Sequence, residues 1–167
     1  MTFSPRFWRV RPLAVFDIDG VLADVRHRVH HLEGRRKDWG SFFSEAVDDG
    51  LHAEGYALAV EAAKECDLAY LTGRPEWIRD ETAAWLAQHG LPEGRLVMRR
   101  SGDHRPAAVA KLRLLEELAA GRTVAIIVDD DLDVCDAYEA AGYRVLRAEW
   151  APRSDALHRA QEEDGRT

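Results

Sequence analysis

The chain reads as an α/β protein built on a parallel sheet, and three observations lead there. Strand-length apolar runs recur at residues 13–16, 68–71, 96–98, 124–128 and 144–146. Helix-like segments separate most of them, and strands that alternate with helices form parallel sheets. Three of the runs end in acidic or hydroxyl residues, at the carboxyl ends of strands where such sheets bind ligands.

The first run ends in Asp17-Ile18-Asp19-Gly20. Residues i and i+2 of a strand share a side, so both carboxylates face the sheet's mouth and together want a cation. Taken alone, the same pair also suits a solvated turn. Residues 24–54 then outrun the usual strand-to-helix loop and predict a small inserted cap, with apolar area from Trp39, Phe42 and Phe43. In that cap His27, His30 and His31 fall on one face of a short helix. The pair His27 and His31 has zinc-ligand spacing but no evident third ligand, which favours surface or substrate-facing roles.

Residues 56–65 are Ala-rich and amphipathic. After the second strand comes Thr72-Gly73-Arg74-Pro75, which offers a hydroxyl, a glycine open to close backbone approach, a charged fork, and a proline to start the next helix. The set suits a phosphate cradle; alone it also reads as a helix cap. Residues 77–89 end before Gly90, and residues 106–120 before Gly121, with proline near the start of each. Lys111 sits on the second of these helices, where an ammonium suits a phosphoryl centre, although a helical lysine is commonly a surface residue. Residues 124–128 run into Asp129-Asp130-Asp131, an acidic burst that is costly on a buried strand end unless a cation shares it. A helix over 132–141 closes at Gly142. From Arg153 the chain turns polar and predicts one helix fraying before Thr167.

At 167 residues the chain is expected to be one domain, with its core over about residues 11–152, the cap over 24–54 and a polar tail over 153–167. Its 46% hydrophobic and 32% charged content is ordinary for a globular protein, and no apolar run of about 18 residues marks a membrane span. Cys66 and Cys135 are isolated and predict reduced thiols, while residues 1–6 carry no secretory pattern, so a cytoplasmic location is expected. A net charge of -7 disfavours a whole-surface nucleic-acid binder. Acid gathers at 129–136 and base at 26–28, 35–37 and 95–105, a pattern that fits an acidic metal pocket rimmed by cations or, for many of the basic residues, plain solvated faces.

The order Asp-x-Asp-Gly-Val, Thr-Gly-Arg, Lys, Asp-Asp, each on its own structural junction, resembles the haloacid dehalogenase superfamily of phosphohydrolases. The resemblance runs from Leu13 to about Trp150. It implies a three-layer Rossmann-like sandwich with a cap after the first strand, and Mg2+ as cofactor. It further implies Asp17 as nucleophile, Asp19 as general acid and base, Thr72 and Gly73 as phosphoryl holders, and Lys111 as the clamp between Asp17 and phosphate. Asp17, Asp19 and Asp130 would ligate the metal with Asp129 behind them, Asp129 with Asp133 being the alternative spacing. Hard oxygen ligands throughout favour magnesium over zinc.

Met98-Arg99-Arg100-Ser101-Gly102-Asp103-His104-Arg105, followed by Lys111, is similar to the phosphatase domains of bacteriophage polynucleotide kinase-phosphatases. That likeness implies 3′-phosphate removal from nucleic-acid ends, with Arg74 and Arg99 on the substrate phosphate or its neighbour. Ala107 stands where those relatives carry an aspartate, and no Gly-x-x-x-x-Gly-Lys-Ser/Thr kinase loop is present. The implied partner is a phosphorylated nucleic-acid end or a nucleotide, with no protein partner and no membrane. A nucleotide or small-molecule phosphatase is the alternative. A receiver-like phosphate-binding module is disfavoured, because the Asp-x-Asp pair comes first and the Asp-Asp burst follows the lysine.

Overall fold

The computed structural model describes residues 10–165, so the expectation about residues 1–6 lies outside the described residues. In chain order the elements are strands β1 (Leu13–Phe16) and β2 (Ala23–Asp24), a 3-10 helix (Arg26–Leu32), helix α1 (Trp39–Ser44), a 3-10 turn (Glu45–Asp48), β3 (Gly50–Leu51) and α2 (Ala53–Ala62). There follow β4 (Asp67–Pro75), a 3-10 turn (Glu76–Ile78), α3 (Arg79–Gln88), β5 (Gly94–Arg99) and α4 (Ala107–Leu118). The chain closes with β6 (Val124–Asp129), α5 (Leu132–Ala140), β7 (Val145–Arg147) and α6 (Asp155–Asp164).

Five strands form one parallel sheet in the order β5-β4-β1-β6-β7. Alternation along the central strand assigns its two faces. Ala14 and Phe16 meet Ala59 of α2 and Trp85 and Leu86 of α3 on one side. Leu13 and Val15 meet Leu114, Leu115 and Leu118 of α4 and Val134 and Tyr138 of α5 on the other. This is the three-layer α/β arrangement. Because β1 is buried on both faces, its whole length is apolar. The chain builds outward from β1 through β4 to β5, then crosses to β6 and β7 on the opposite side. Such a reversal opens a crevice at the strands' carboxyl ends, beside β1.

The segment between β1 and α2 pairs β2 with β3 and buries Val25, Val29, Leu32, Trp39, Phe42 and Phe43 in a cluster of its own, which includes Ile78 and Met98 from the sheet side. The aromatic trio therefore does pack as the insert's core. At Gly55 the first turn of α2 lies so near the Val21 carbonyl that a Cβ would overlap it, which seats this helix under the loop after β1.

Several boundaries differ from the sequence expectation: α2 lies at Ala53–Ala62 where the sequence predicts 56–65, and β5 extends over Gly94–Arg99 beyond 96–98. β4 runs on through Pro75, so Thr72 to Pro75 are strand, and α3 begins only at Arg79 after a 3-10 turn. An irregular register against β5 between Thr72 and Pro75 lets the strand continue where proline lacks a donor. The last strand is shifted by one residue, to Val145–Arg147. The tail is not a loose appendage: α6 buries Ala160 against the insert, and Ser154 caps its first turn by accepting from the Leu157 amide.

Trp85 joins two of these parts, with its ring buried against the sheet and its indole N–H donating to the Asp49 carbonyl at 2.9 Å. Trp85→Ala is expected to lower unfolding stability by about 3–5 kcal/mol, read from urea denaturation.

Candidate active site

The carboxyl ends of β1, β4 and β6, with α4, bring most of the sequence-predicted residues to one cleft. Asp17 follows β1 directly, its amide donating to the Val128 carbonyl at 2.9 Å. Asp17, Asp19, Gly20, Thr72, Gly73, Lys111 and Asp130 all line the cleft, whose accessible volume is about 110 Å³. Asp129, Arg74 and Arg99 do not reach its surface.

Lys111 rises from α4 and is 5% exposed. Its ammonium lies 2.9 Å from Asp17 Oδ2 and 2.9 Å from Asp129 Oδ2, bridging β1 and β6. Burial disfavours its charge, yet Asp129 and Asp17 outweigh that and hold the lysine well above its usual range. Ala107, one turn earlier, also faces the cleft. With two carboxylates on the ammonium, Lys111 is oriented without the acid that the resemblance would put at residue 107.

Asp17 Oδ1 is buried and accepts no hydrogen bond among the described residues. Carboxylate oxygens of Asp17, Asp129 and Asp130 lie within 4.8 Å of one another, whereas Asp133 sits apart with His158 and Glu162. Burial and the charge on Asp129 and Asp19 push the Asp17 carboxyl up to about 7, although Lys111 pulls it down. Asp130 is raised well above the carboxylate range by burial and by Asp129 and Asp17. Gly20 makes this crowding possible. It holds φ at 81°, and a Cβ there would overlap the Asp130 carboxylate.

A second network lies behind the first. Asp19 Oδ1 accepts from Arg28 at 2.9 Å and from Arg74 at 2.6 and 2.9 Å. Both arginines also bind Asp49, whose Oδ1 is 2.7 Å from Arg28 and whose Oδ2 is 2.7 Å from Arg74. Burial raises the Asp19 carboxyl, but Arg74 and Arg28 overcome it and leave the group below its ordinary value. All these bonds fall on Oδ1, so Oδ2 carries no protein hydrogen bond among the described residues. Arg74 is thus placed as a brace for Asp19, with its guanidinium over the Trp85 ring at 5.9 Å. Arg99 points elsewhere, donating to the carbonyls of Gly165 and Arg105 and lining a separate cavity. His27 turns to Asp49 and His31 to Glu45, so the two histidines do not converge on one ligand.

Arg28 and Asp49 escaped the sequence reading. An arginine set among Val25, Val29 and Leu32 of a short helix is a signal for a buried partner; Asp48-Asp49-Gly50 resembles any turn. The α6 wall was also missed: Ser154, Leu157, His158 and Gln161 line the cleft. Nothing in that polar stretch marks it as part of a site.

With all five ionised, the carboxylates Asp17, Asp19, Asp49, Asp129 and Asp130 meet three cations (Lys111, Arg28, Arg74) on this floor, a formal deficit of two charges that adds to burial in raising Asp17 and Asp130. A formal deficit of two, an orphaned Asp17 oxygen and an all-oxygen donor set fit a hard divalent cation, which the grouped carboxylates of Asp17, Asp129 and Asp130 would hold.

Parallel sheet, chain reversal and acid-lysine floor together define a haloacid dehalogenase-type phosphatase scaffold. Residues 12–150 match the family model of the polynucleotide kinase PNKP phosphatase domain, and the chain belongs to that family. No curated protein matches it. Among solved structures, a chain of the Pnkp1/Rnl/Hen1 RNA repair complex is similar at 23% identity and TM-score 0.71, over 87% of this chain and 45% of that one. This chain therefore spans less than half the length of that relative. A haloacid dehalogenase-like hydrolase from Streptococcus pneumoniae aligns at 13% identity and TM-score 0.61 over 92% of both chains. The HAD-hydrolase YfnB from Bacillus subtilis, solved bound to magnesium, aligns at 12% identity and TM-score 0.57 over 88% of this chain and 91% of its own. Among the described residues, no helix is long and apolar enough to cross a membrane.

The acid cluster carries a linkage consequence. Asp17 and Asp130 titrate above their unfolded values, so without metal the folded state takes up protons first and gains stability as pH falls from about 8 toward 5. In EDTA the thermal midpoint is expected to rise over that window. A saturating divalent cation such as magnesium should flatten the dependence, and Asp130→Asn should remove most of the cation's stabilising effect.

Proposed function

We propose that the chain is a magnesium-dependent phosphomonoesterase that removes 3′-phosphates from nucleic-acid ends through an aspartyl-phosphate. The observation that carries this reading is the convergence of Asp17, Asp19, Thr72, Lys111 and Asp130 on one cleft at the carboxyl end of β1. Membership of the polynucleotide kinase phosphatase family supports the choice of substrate.

In this reading Asp17 attacks phosphorus as the bond to the 3′-oxygen breaks, and Asp19 gives that oxygen its proton. Asp19 then takes a proton from water as the water's oxygen attacks the aspartyl-phosphate, which frees inorganic phosphate and restores Asp17. The resting carboxylate of Asp19 is held ionised by Arg28 and Arg74, the form needed for the second step. An incoming phosphate dianion opposes those guanidiniums and favours the protonated form needed for the first, with Oδ2 free to carry the proton. Thr72 and the strand-end amides at Gly73 would hold phosphoryl oxygens. Lys111 fixes Asp17 by Oδ2 and adds positive charge where the transition state gathers negative charge. Bound by Asp17 and Asp130, Mg2+ would screen the substrate's charge from the acid cluster.

Cys66 and Cys135 are both free, which suits a reducing compartment such as the cytoplasm. The relative in the RNA repair complex works among other proteins, and for this chain a protein partner is an open arm of the same proposal.

The decisive assay measures phosphate release with magnesium from an oligonucleotide bearing a 3′-phosphate, one bearing a 5′-phosphate, mononucleotides and an aryl phosphate. The 3′-end is expected to be preferred; a preference for mononucleotides would move the substrate to the small-molecule alternative, and no release from any of them would end the phosphatase reading. Asp17→Asn should abolish turnover. Asp19→Asn is expected to lower kcat about 10²-fold or more while leaving the fold intact by circular dichroism.

A further inference from the structure

A second cavity, of about 310 Å³, adjoins the first, and Gly73 lines both. Four separate parts of the chain build it: Trp39 and Phe43 of α1, Pro75 and Trp77 after the Thr72-Gly73-Arg74 strand end, the 99–104 turn, and Gly165 after α6. Its volume is at the lower end of the range of small-ligand sites, about 300–1,000 Å³.

Trp77 is the unusual wall. Its neighbours Trp39 and Phe43 are buried in the insert's core, 6% and 3% exposed, whereas Trp77 is 57% exposed. Its ring meets Phe43 edge-on at 6.3 Å between centroids. The indole left open beside the cavity offers a π-face on which a planar ligand can stack.

Most charged groups around the cavity are paired. Asp103 is neutralised by Arg105 at 2.6 Å, while the buried Arg99 guanidinium is bound only by backbone carbonyls among the described residues. Arg100 on the same turn keeps its side chain 61% exposed, with Glu117 as its partner. Cationic and aromatic groups thus share one wall.

We propose that this cavity is a nucleobase subsite that receives the base of the 3′-terminal nucleotide while its phosphate occupies the Asp17 cleft, with Trp77 as the stacking surface. The inference rests on the polynucleotide reading above and adds to it the residue that selects a base. Continuity carries it. A terminal nucleotide has its base within one sugar's reach of its 3′-phosphate, and the wall shared by the two cavities is a glycine with no side chain in the way. Stacking is sequence-tolerant because every base has a π-face, so the subsite would recognise a base without choosing among the four.

The test compares two oligonucleotides with the same 3′-phosphate, one with a base on its terminal residue and one abasic there, as the ratio of their kcat/KM values. Wild-type protein should favour the base-bearing end about tenfold, the scale of one base–aromatic stack. Trp77→Ala and Trp77→Leu should bring the ratio close to one, and Trp77→Phe should keep most of it. The leucine variant keeps apolar contact with Phe43, so its loss of preference reports the missing π-face rather than a disturbed core. An unchanged ratio in both variants, or an equal loss on both substrates, would overturn the subsite and leave the 3′-phosphatase reading standing. Wild-type hydrolysis of aryl phosphate but of neither oligonucleotide would overturn both.

Discussion

The constraint on which this structure depends is electrostatic: the carboxyl ends of β1 and β6 deliver Asp17, Asp19, Asp129 and Asp130 to one nearly dry floor. Like charges at that spacing in a poor dielectric cannot all stay ionised unless cations are built in beside them. Lys111, Arg28 and Arg74 are those cations, and each reaches the floor from a different layer. The helix layer sends Lys111, the insert sends Arg28, and the strand end sends Arg74. Losing Lys111 would strand two buried carboxylates, and losing either arginine would leave the other alone against Asp19 and Asp49, a cost of about 3–5 kcal/mol for a broken buried pair.

The same demand explains how the insert is attached. Its aromatic core supplies apolar area, but hydrophobic contact does not specify where it sits relative to the sheet. The four-membered network does so, because Arg28 and Asp49 belong to the insert while Asp19 and Arg74 belong to the sheet's rim. Trp85 adds a directional bond to the Asp49 carbonyl from below. Docking the insert and fixing the Asp19 carboxylate are therefore one event, and α6, seated on the insert, closes the cleft on its far side.

Much of the fold is legible in local sequence. Apolar runs of three to five residues, glycine stops and proline starts depend on backbone chemistry within a few residues, so the strands of the sheet and most of its helices fall near where the pattern puts them. Pro75 shows the limit. Proline after a strand reads as a helix start, yet here the strand continues through an irregular pairing with β5 that exists only once β5 is beside it. The tail shows the same limit in another form: residues 155–164 are polar enough to read as a solvated end, and only the insert's surface gives Ala160 something to bury against.

The sequence by itself determined the parallel α/β class, the Asp17/Asp19 pair at a strand's end, and the later hydroxyl, lysine and acidic signals. Each is set by side-chain chemistry at a junction that neighbouring residues define. Tertiary structure decided how those groups are divided: Lys111 between Asp17 and Asp129, Arg74 onto Asp19 and Asp49, Arg99 away to the second cavity, Asp133 out of the acid cluster. Partner choice among charges depends on distance and burial, and residues 9 to 94 apart in the chain acquire those only when the layers close. Arg28 and Asp49 make the point most sharply, since nothing adjacent to either one names the other.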